Sequence, residues 1–223
     1  GEQKGKVTVS KDARKRKEQG IFYTPPFVVD YIVRNALKPI LDSCKNVSEL
    51  RRVKVLDPAC GSGSFLIKVL EAIAEQYETS SDNEYVRKRI LNENLYGVDL
   101  DQQAVEIARL NLLIHSLNTR ELLPPLDRNI KNGNSLISGT DDELEKQFGK
   151  NWREKKPFNW EEEFPDVFKQ GGFDVIIGNP PYIKEFVNKS AFDGLHNSPY
   201  YQGKMDIWTM FACISIDLLK DGG

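Results

Sequence analysis

The sequence predicts an α/β fold: a doubly wound, mostly parallel sheet. Three observations carry this. Short apolar runs of strand character alternate with longer segments of helical period. The glycine-bearing loop Asp57-Pro58-Ala59-Cys60-Gly61-Ser62-Gly63-Ser64 joins one such run to the helix after it, the first half of a βαβ unit. A later run, Phe173-Asp174-Val175-Ile176-Ile177, passes directly into the stiff turn Gly178-Asn179-Pro180-Pro181-Tyr182.

Taken in order, residues 1–19 have almost no apolar content and read as a flexible tail; residues 20–223 read as one catalytic domain. Pro25 and Pro26 cannot continue a helix but suit the first turn of a new one. Val28, Val29, Ile32, Val33, Ala36, Leu37, Ile40 and Leu41 then follow at helical spacing, and the polar stretch around 42–48 ends that helix. Residues 53–56 form a buried strand leading into the glycine loop, and Phe65, Leu66, Val69, Leu70 and Ile73 mark the helix after it. A charged helix around 85–91 precedes a second strand, Leu95 to Val98, ending at Asp99. The next helix carries Ala104, Ile107, Ala108 and Leu112 on one stripe. A weaker strand lies near 129–131. Residues 140–170 read as an irregular, acidic excursion whose aromatics (Trp152, Phe158, Trp160, Phe164, Phe168) dock on the body. Residues 173–177 give the clearest strand, 183–205 a mobile loop, and Ile207, Trp208, Phe211, Ala212, Ile214, Leu218 and Leu219 a last helix.

Composition narrows the function classes. With 223 residues, 39% of them hydrophobic, the chain can bury a sizeable core, and no apolar run reaches membrane-spanning length. The reading is a soluble, intracellular (cytoplasmic) protein. Three scattered cysteines and two histidines argue against a disulfide framework or a zinc site. Net charge is −2, but residues 1–17 carry seven basic groups against two acids, which leaves −7 on the remainder. A body that acidic is a poor general polyanion binder by itself.

The chemistry gathers at strand ends. In a doubly wound sheet, ligands bind outside the carboxyl ends of the strands. Glycines there let a ligand lie against bare backbone, and Asp99 at the next strand end can accept from a ribose diol. Together they point to an adenosine-containing cofactor. The loop lacks G-x-G-x-x-G and G-x-x-x-x-G-K-[ST], and no basic residue within it would meet a phosphate. A phosphate-free adenosine ligand, S-adenosylmethionine, fits best. The tetrapeptide Asn179–Tyr182 would arise by chance in about one chain in a thousand of this length, and it too sits at a predicted strand end.

The segments Phe22-Tyr23-Thr24-Pro25, Asp57–Gly63, Gly97-Val98-Asp99 and Phe173–Tyr182 occur in this order. Together they resemble the N6-adenine DNA methyltransferases, in particular the methylase region of Eco57I-like, type IIG restriction–modification enzymes, over roughly residues 18–223. The resemblance implies a Rossmann-like S-adenosylmethionine-dependent methyltransferase fold and adenine-specific methylation of double-stranded DNA with the target base flipped out. It implies that the Asn179 side-chain oxygen and the Pro180 carbonyl accept from the adenine amine while Tyr182 stacks on the base. For the cofactor, it places the backbone of Tyr23 and Thr24 near the methionine end. Asp57, Ala59, Cys60, Gly61 and Gly63 would line the amino-acid portion, with Asp99 at the ribose and Leu100 on the adenine. Asn134, where relatives commonly carry Asp, would meet the adenine amine, and Pro181 is counted with the cofactor-binding residues. No metal is implied.

The family fold has further strands and a target-recognition domain, so the expectation is a C-terminally incomplete catalytic domain whose partner is a recognition domain or specificity subunit. No nuclease-type acidic cluster stands out upstream. Two other readings stay open: a methyltransferase with the same motif acting on another planar amine (protein glutamine, an RNA base or cytosine N4), and a non-catalytic DNA-tethering piece with a vestigial cofactor pocket.

Overall fold

The computed structural model describes residues 23–77, 83–116 and 125–223. The basic tail and Phe22 lie outside them. Four parallel strands form one sheet: β1 (Val55–Asp57), β2 (Leu95–Asp99), β3 (Ile130–Asn132) and β4 (Val175–Ile176), in the spatial order β3-β2-β1-β4. The α/β expectation therefore holds, strand by strand. After β1 the chain moves outward through β2 and β3, then returns to place β4 on the other side of β1. That reversal makes a switch point between β1 and β4, and doubly wound sheets bind their ligands outside the carboxyl ends of the strands at such a point.

β1 and β4 are shorter than the sequence suggests, because other bonds take over their outer backbone groups, whereas β2 and β3 have the expected lengths. Asn94 donates to the carbonyls of Leu50 and Val53, and the Lys54 amide donates to the Asp174 carboxylate. The β1 ladder thus starts only at Val55. At β4, the Phe173 amide turns away to bond the Leu218 carbonyl, so pairing with β1 is confined to Val175 and Ile176.

One face of the sheet carries long helices: α1 (Pro26–Ser43), α3 (Ser64–Tyr77), α4 (Asn83–Glu93) and α5 (Gln102–Ser116), with the single turn α2 (Val47–Leu50) between α1 and β1. On α1, Val29, Val33, Leu37 and Leu41 are buried. They share one aliphatic core with Leu66, Val69, Leu70 and Ile73 of α3. A bidentate pair between Arg34 and Glu75, at 2.7 and 2.8 Å, ties the two helices at the surface. On α5 the expected stripe is displaced. Val105, Ala108, Leu112 and Ser116 are buried, while Ile107 faces solvent together with Leu110 and Ile114. This helix is apolar on two faces, so periodicity alone does not choose the inner one. Gly63 chooses it: a Cβ there would meet Ala108 at 3.3 Å, which locks that side of α5 onto the glycine loop.

The opposite face is aromatic. Residues 140–170 are more regular than expected, forming α6 (Asp141–Phe148), a 3₁₀ turn (Trp152–Lys155), α7 (Trp160–Glu163) and α8 (Pro165–Phe168). A capping box, Thr140 with Glu143, starts α6 and is a readable signal that the hydrophobic pattern obscured. The aromatics do dock on the body: Trp152, Phe158, Trp160 and Phe164 are buried with Phe173 and Tyr96 of the sheet. The segment 183–205 is irregular, as expected, but packed rather than loose. Phe192 and Leu195 are buried, and the α9 helix (Ile207–Leu218) follows on the same core. Among the described residues no helix is long and apolar enough to cross a membrane.

Candidate active site

The carboxyl ends of β1, β2 and β4 lie side by side, and the glycine loop, Asp99 and the Asn179 turn are carried there. The loop after β1 turns sharply: Gly61 and Gly63 take φ of 52° and 84°, values that favour glycine. The Gly63 amide bonds the Cys60 carbonyl at 2.8 Å, and the Cys60 amide bonds the Val98 carbonyl at 3.0 Å. A Cβ on Gly61 would meet no atom within 4 Å, so this side of the loop is bare backbone facing open space. Cys60 contributes backbone only. Its thiol is buried against Gly97 and Leu66, and burial raises its pKa well above the usual thiol range.

Asp99, at the tip of β2, reaches across to this loop. One carboxylate oxygen accepts from the Gly61 amide at 2.8 Å and the other from the Asp101 amide at 2.9 Å. Leu100 stands beyond it with an exposed side chain. The Asn132 carboxamide holds the Asp99 and Leu100 carbonyls, fixing the strand tip. Asn134 occupies the turn after β3. Its side-chain oxygen accepts from the Leu136 amide at 3.1 Å, so in this structure it stabilises its own turn. The adjacent buried Ser135 donates to the Pro58 carbonyl at 2.6 Å and ties this turn to the glycine loop, a link the sequence did not reveal.

Asp57 joins the two motifs. It is fully buried, and one of its oxygens accepts from the Ala59 amide at 3.1 Å. Gly178 lies against it so closely that a Cβ there would sit 2.5 Å from that oxygen. Glycine is therefore required directly before Asn179, which the strand-to-turn position hinted at but the motif alone did not explain. Burial pushes the Asp57 pKa up to about 8, with Asp99 adding to the rise, and burial also raises Asp99 itself. Among the described residues no Lys or Arg side chain hydrogen-bonds or ion-pairs with either carboxyl.

Asn179 is half-buried, and its Nδ2 donates to the Thr24 hydroxyl at 3.0 Å. That bond brings the segment before α1 over the end of β4 and sets the plane of the carboxamide. Pro180 and Pro181 are partly buried, and Tyr182 is 48% exposed. The Tyr23 side chain is largely exposed at the approach to α1, which leaves its backbone as the part that faces the site. The structure thus brings together Thr24, Asp57, Gly178 and Asn179 in one group, and Gly61 and Asp99 in a second beside it.

A family model described as Eco57I restriction-modification methylase matches residues 93–223, more than half of the chain. The chain belongs to that family. A type II restriction enzyme and methyltransferase of Escherichia coli, RM.Eco57I, is 31% identical over 92% of this chain and 22% of its own length. The adenine-specific methyltransferase PglX of Streptomyces coelicolor is 26% identical over 92% of this chain and 18% of its own. The chain therefore spans about a fifth of the length of these relatives. Among solved structures, a nuclease-deletion mutant of the type ISP restriction-modification enzyme LlaGI, in complex with a DNA substrate mimic, superposes with a TM-score of 0.61 at 22% identity, over 91% of this chain and 17% of that one. A DrdV–DNA complex gives a TM-score of 0.58 at 21% identity, over 94% and 20%. Both are likenesses of fold. In the family's terms, the matched region begins just before β2 and takes in the Asn179 turn but not the glycine loop, whose place in the site rests on the geometry above.

Proposed function

We propose that this chain is the S-adenosylmethionine-binding and catalytic core of an N6-adenine DNA methyltransferase within a longer restriction–modification protein. One observation carries the reading. The Asn179 carboxamide, oriented by Thr24, stands at the switch point directly beside the glycine loop, with Gly178 packed on Asp57. The family membership and the adenine-specific relative support the same substrate class.

The residues present fit the cofactor. The buried Asp57 and half-buried Asp99 carboxyls lie at a bare glycine loop, and among the described residues no Lys or Arg side chain bonds either. Such a site suits a ligand bearing positive charge and no phosphate. Asp57, the backbone of Ala59 to Gly61, and Gly63 would hold its amino-acid end. Asp99 would hold the ribose, with Leu100 and the Asn134 turn beside the adenine and Thr24 and Pro181 above. Bound S-adenosylmethionine supplies an electrophilic methyl group already activated on a sulfonium.

The chain's own task is to make a poor nucleophile attack. The adenine amine has its lone pair delocalised into the ring. The Asn179 oxygen and the Pro180 carbonyl accept its two hydrogens, draw the nitrogen toward tetrahedral geometry and stabilise the charge that develops on it. This is positioning plus preorganised electrostatics, with no strong general base. Tyr182 stacks on the extruded base, a contact worth about 1–3 kcal/mol. Double-stranded DNA is the partner, and the sequence-reading contacts belong to the remainder of the longer protein. The experiment is Asn179→Ala: tritiated methyl transfer into unmethylated DNA is lost by at least about a hundredfold, while calorimetric affinity for S-adenosylmethionine is unchanged. Transfer that survives the substitution removes the assignment.

A further inference from the structure

We propose that Trp208 forms a second aromatic wall of the target-base pocket, opposite Tyr182, and touches the extruded purine directly; the inference rests on the methyltransferase reading and deepens it. The backbone sets this up. Lys184 and Asp206 form an isolated antiparallel bridge. The Glu185 amide bonding Met205 at 3.1 Å and the Ile207 amide bonding Ile183 at 2.9 Å bracket it. In an antiparallel register, a step back on one strand is a step forward on the other. Two residues out from the bridge lie Tyr182 on one side and, already in the first turn of α9, Trp208 on the other. The two rings are neighbours, with centroids 6.4 Å apart and planes inclined by 38°. That inclination is neither a parallel stack nor an edge-to-face contact.

The burial pattern gives Trp208 no role in the core. On α9, Ile207, Met210, Phe211, Ile214 and Leu218 are buried. Trp208 lies off that stripe and is 40% exposed, whereas Trp152 and Trp160, the other two tryptophans of the chain, are 8% and 6% exposed. A large ring left open beside Tyr182, and fixed by backbone bonds to the very turn that carries Asn179, suits a planar apolar ligand with a π-face. An extrahelical nucleobase is that ligand: it lies on Tyr182 and Trp208 closes its outer side.

The exposed tryptophan is its own reporter. The intact chain is titrated with a short single-stranded oligodeoxyadenylate while tryptophan emission is followed, and binding is measured independently by anisotropy of a labelled copy. Emission falls on binding in the parent chain. Trp208→Phe still binds but shows no fall. Trp208→Ala binds about tenfold more weakly, with calorimetric affinity for S-adenosylmethionine unchanged. In Tyr182→Ala the fall in emission persists, because Trp208 meets the base itself and does not act through Tyr182. Absence of oligonucleotide binding, binding without a change in emission, parental affinity in Trp208→Ala, or a fall that vanishes in Tyr182→Ala each overturns the proposal. The methyltransferase reading is judged apart from these, by S-adenosylmethionine affinity and by methyl transfer in the parent and in Asn179→Ala.

Discussion

The two faces of the sheet solve one packing problem in opposite ways. One is covered by long helices whose Val, Leu, Ile and Ala side chains interdigitate in a single aliphatic core. The other is covered by short helices and turns held by rings: Tyr96, Phe158, Trp160, Phe164 and Phe173 pair at centroid distances from 4.8 to 6.5 Å, several of them edge to face. A helix buries area through repetition, so it needs length. An aromatic buries much area from one backbone position, so irregular chain can cover a sheet if it supplies enough rings. The candidate site lies where the two coverings meet: Thr24 reaches it from the helical side and Trp208 from the aromatic side.

The comparison breaks first at Phe173. It is fully buried, and its ring contacts Tyr96, Trp160, Phe164 and Phe168. Phe173→Ala removes a hub shared by four partners and is expected to destabilise by about 4 kcal/mol. Ile73→Ala, equally buried on the helical face, is expected to lose about 3 kcal/mol. Urea unfolding of both variants checks the order. A smaller loss at Phe173 than at Ile73 would mean that the ring pairs add nothing beyond buried area.

The same contrast explains what the sequence reveals and what it hides. The helical face is readable because Val29, Val33, Leu37 and Leu41 recur at fixed spacing. Periodicity fails on α5, where Ile107, Leu110 and Ile114 offer a second apolar stripe and only the tertiary contact of Gly63 with Ala108 decides between them. The aromatic face has no period to read, so its docking is legible from composition but its helices are not; the Thr140–Glu143 capping box was the one local signal. In the site, the loop and the Asn179 turn stand out because their glycines and prolines are scarce and adjacent. Their supports do not. Ser135 to Pro58, Asp57 to Gly178 and Tyr182 to Trp208 join residues distant in the chain, and such pairings belong to the fold.

A second prediction concerns the junction of the two faces. Asp57 has a folded-state pKa of about 8, far above an unfolded aspartate. Between about pH 4 and about pH 8 the unfolded chain ionises this group while the folded chain keeps it protonated, so the unfolded state binds fewer protons and stability falls as pH rises. The slope is at most about 1.4 kcal/mol per pH unit, and the raised pKa of Asp99 adds in the same sense. Asp57→Asn keeps the shape and removes the ionisation. Its urea midpoint is expected to lie above the parent's at pH 8 and to match it near pH 4. A parental midpoint that rises with pH over this window would reverse the sign and refute the assignment.

The smallest effect is expected at the surface of the helical face. Arg34 bridges Asp30 on its own helix and Glu75 on α3 with good bidentate geometry. Both the arginine and Glu75 are about half exposed, however, with side-chain exposures of 48% and 47%. Water screens such a pair, and its contribution to stability is expected to be below about 1 kcal/mol. Arg34→Met keeps most of the apolar stem packed along α1 and isolates the charge. Its destabilisation should be largest in low salt and fade toward zero in molar salt, where the screening length drops to about 3 Å. A loss that persists at high salt would show that the contact works through packing, and the two faces would then differ less than their residue types suggest: each would be held by area alone, with charge only marking where the helices meet.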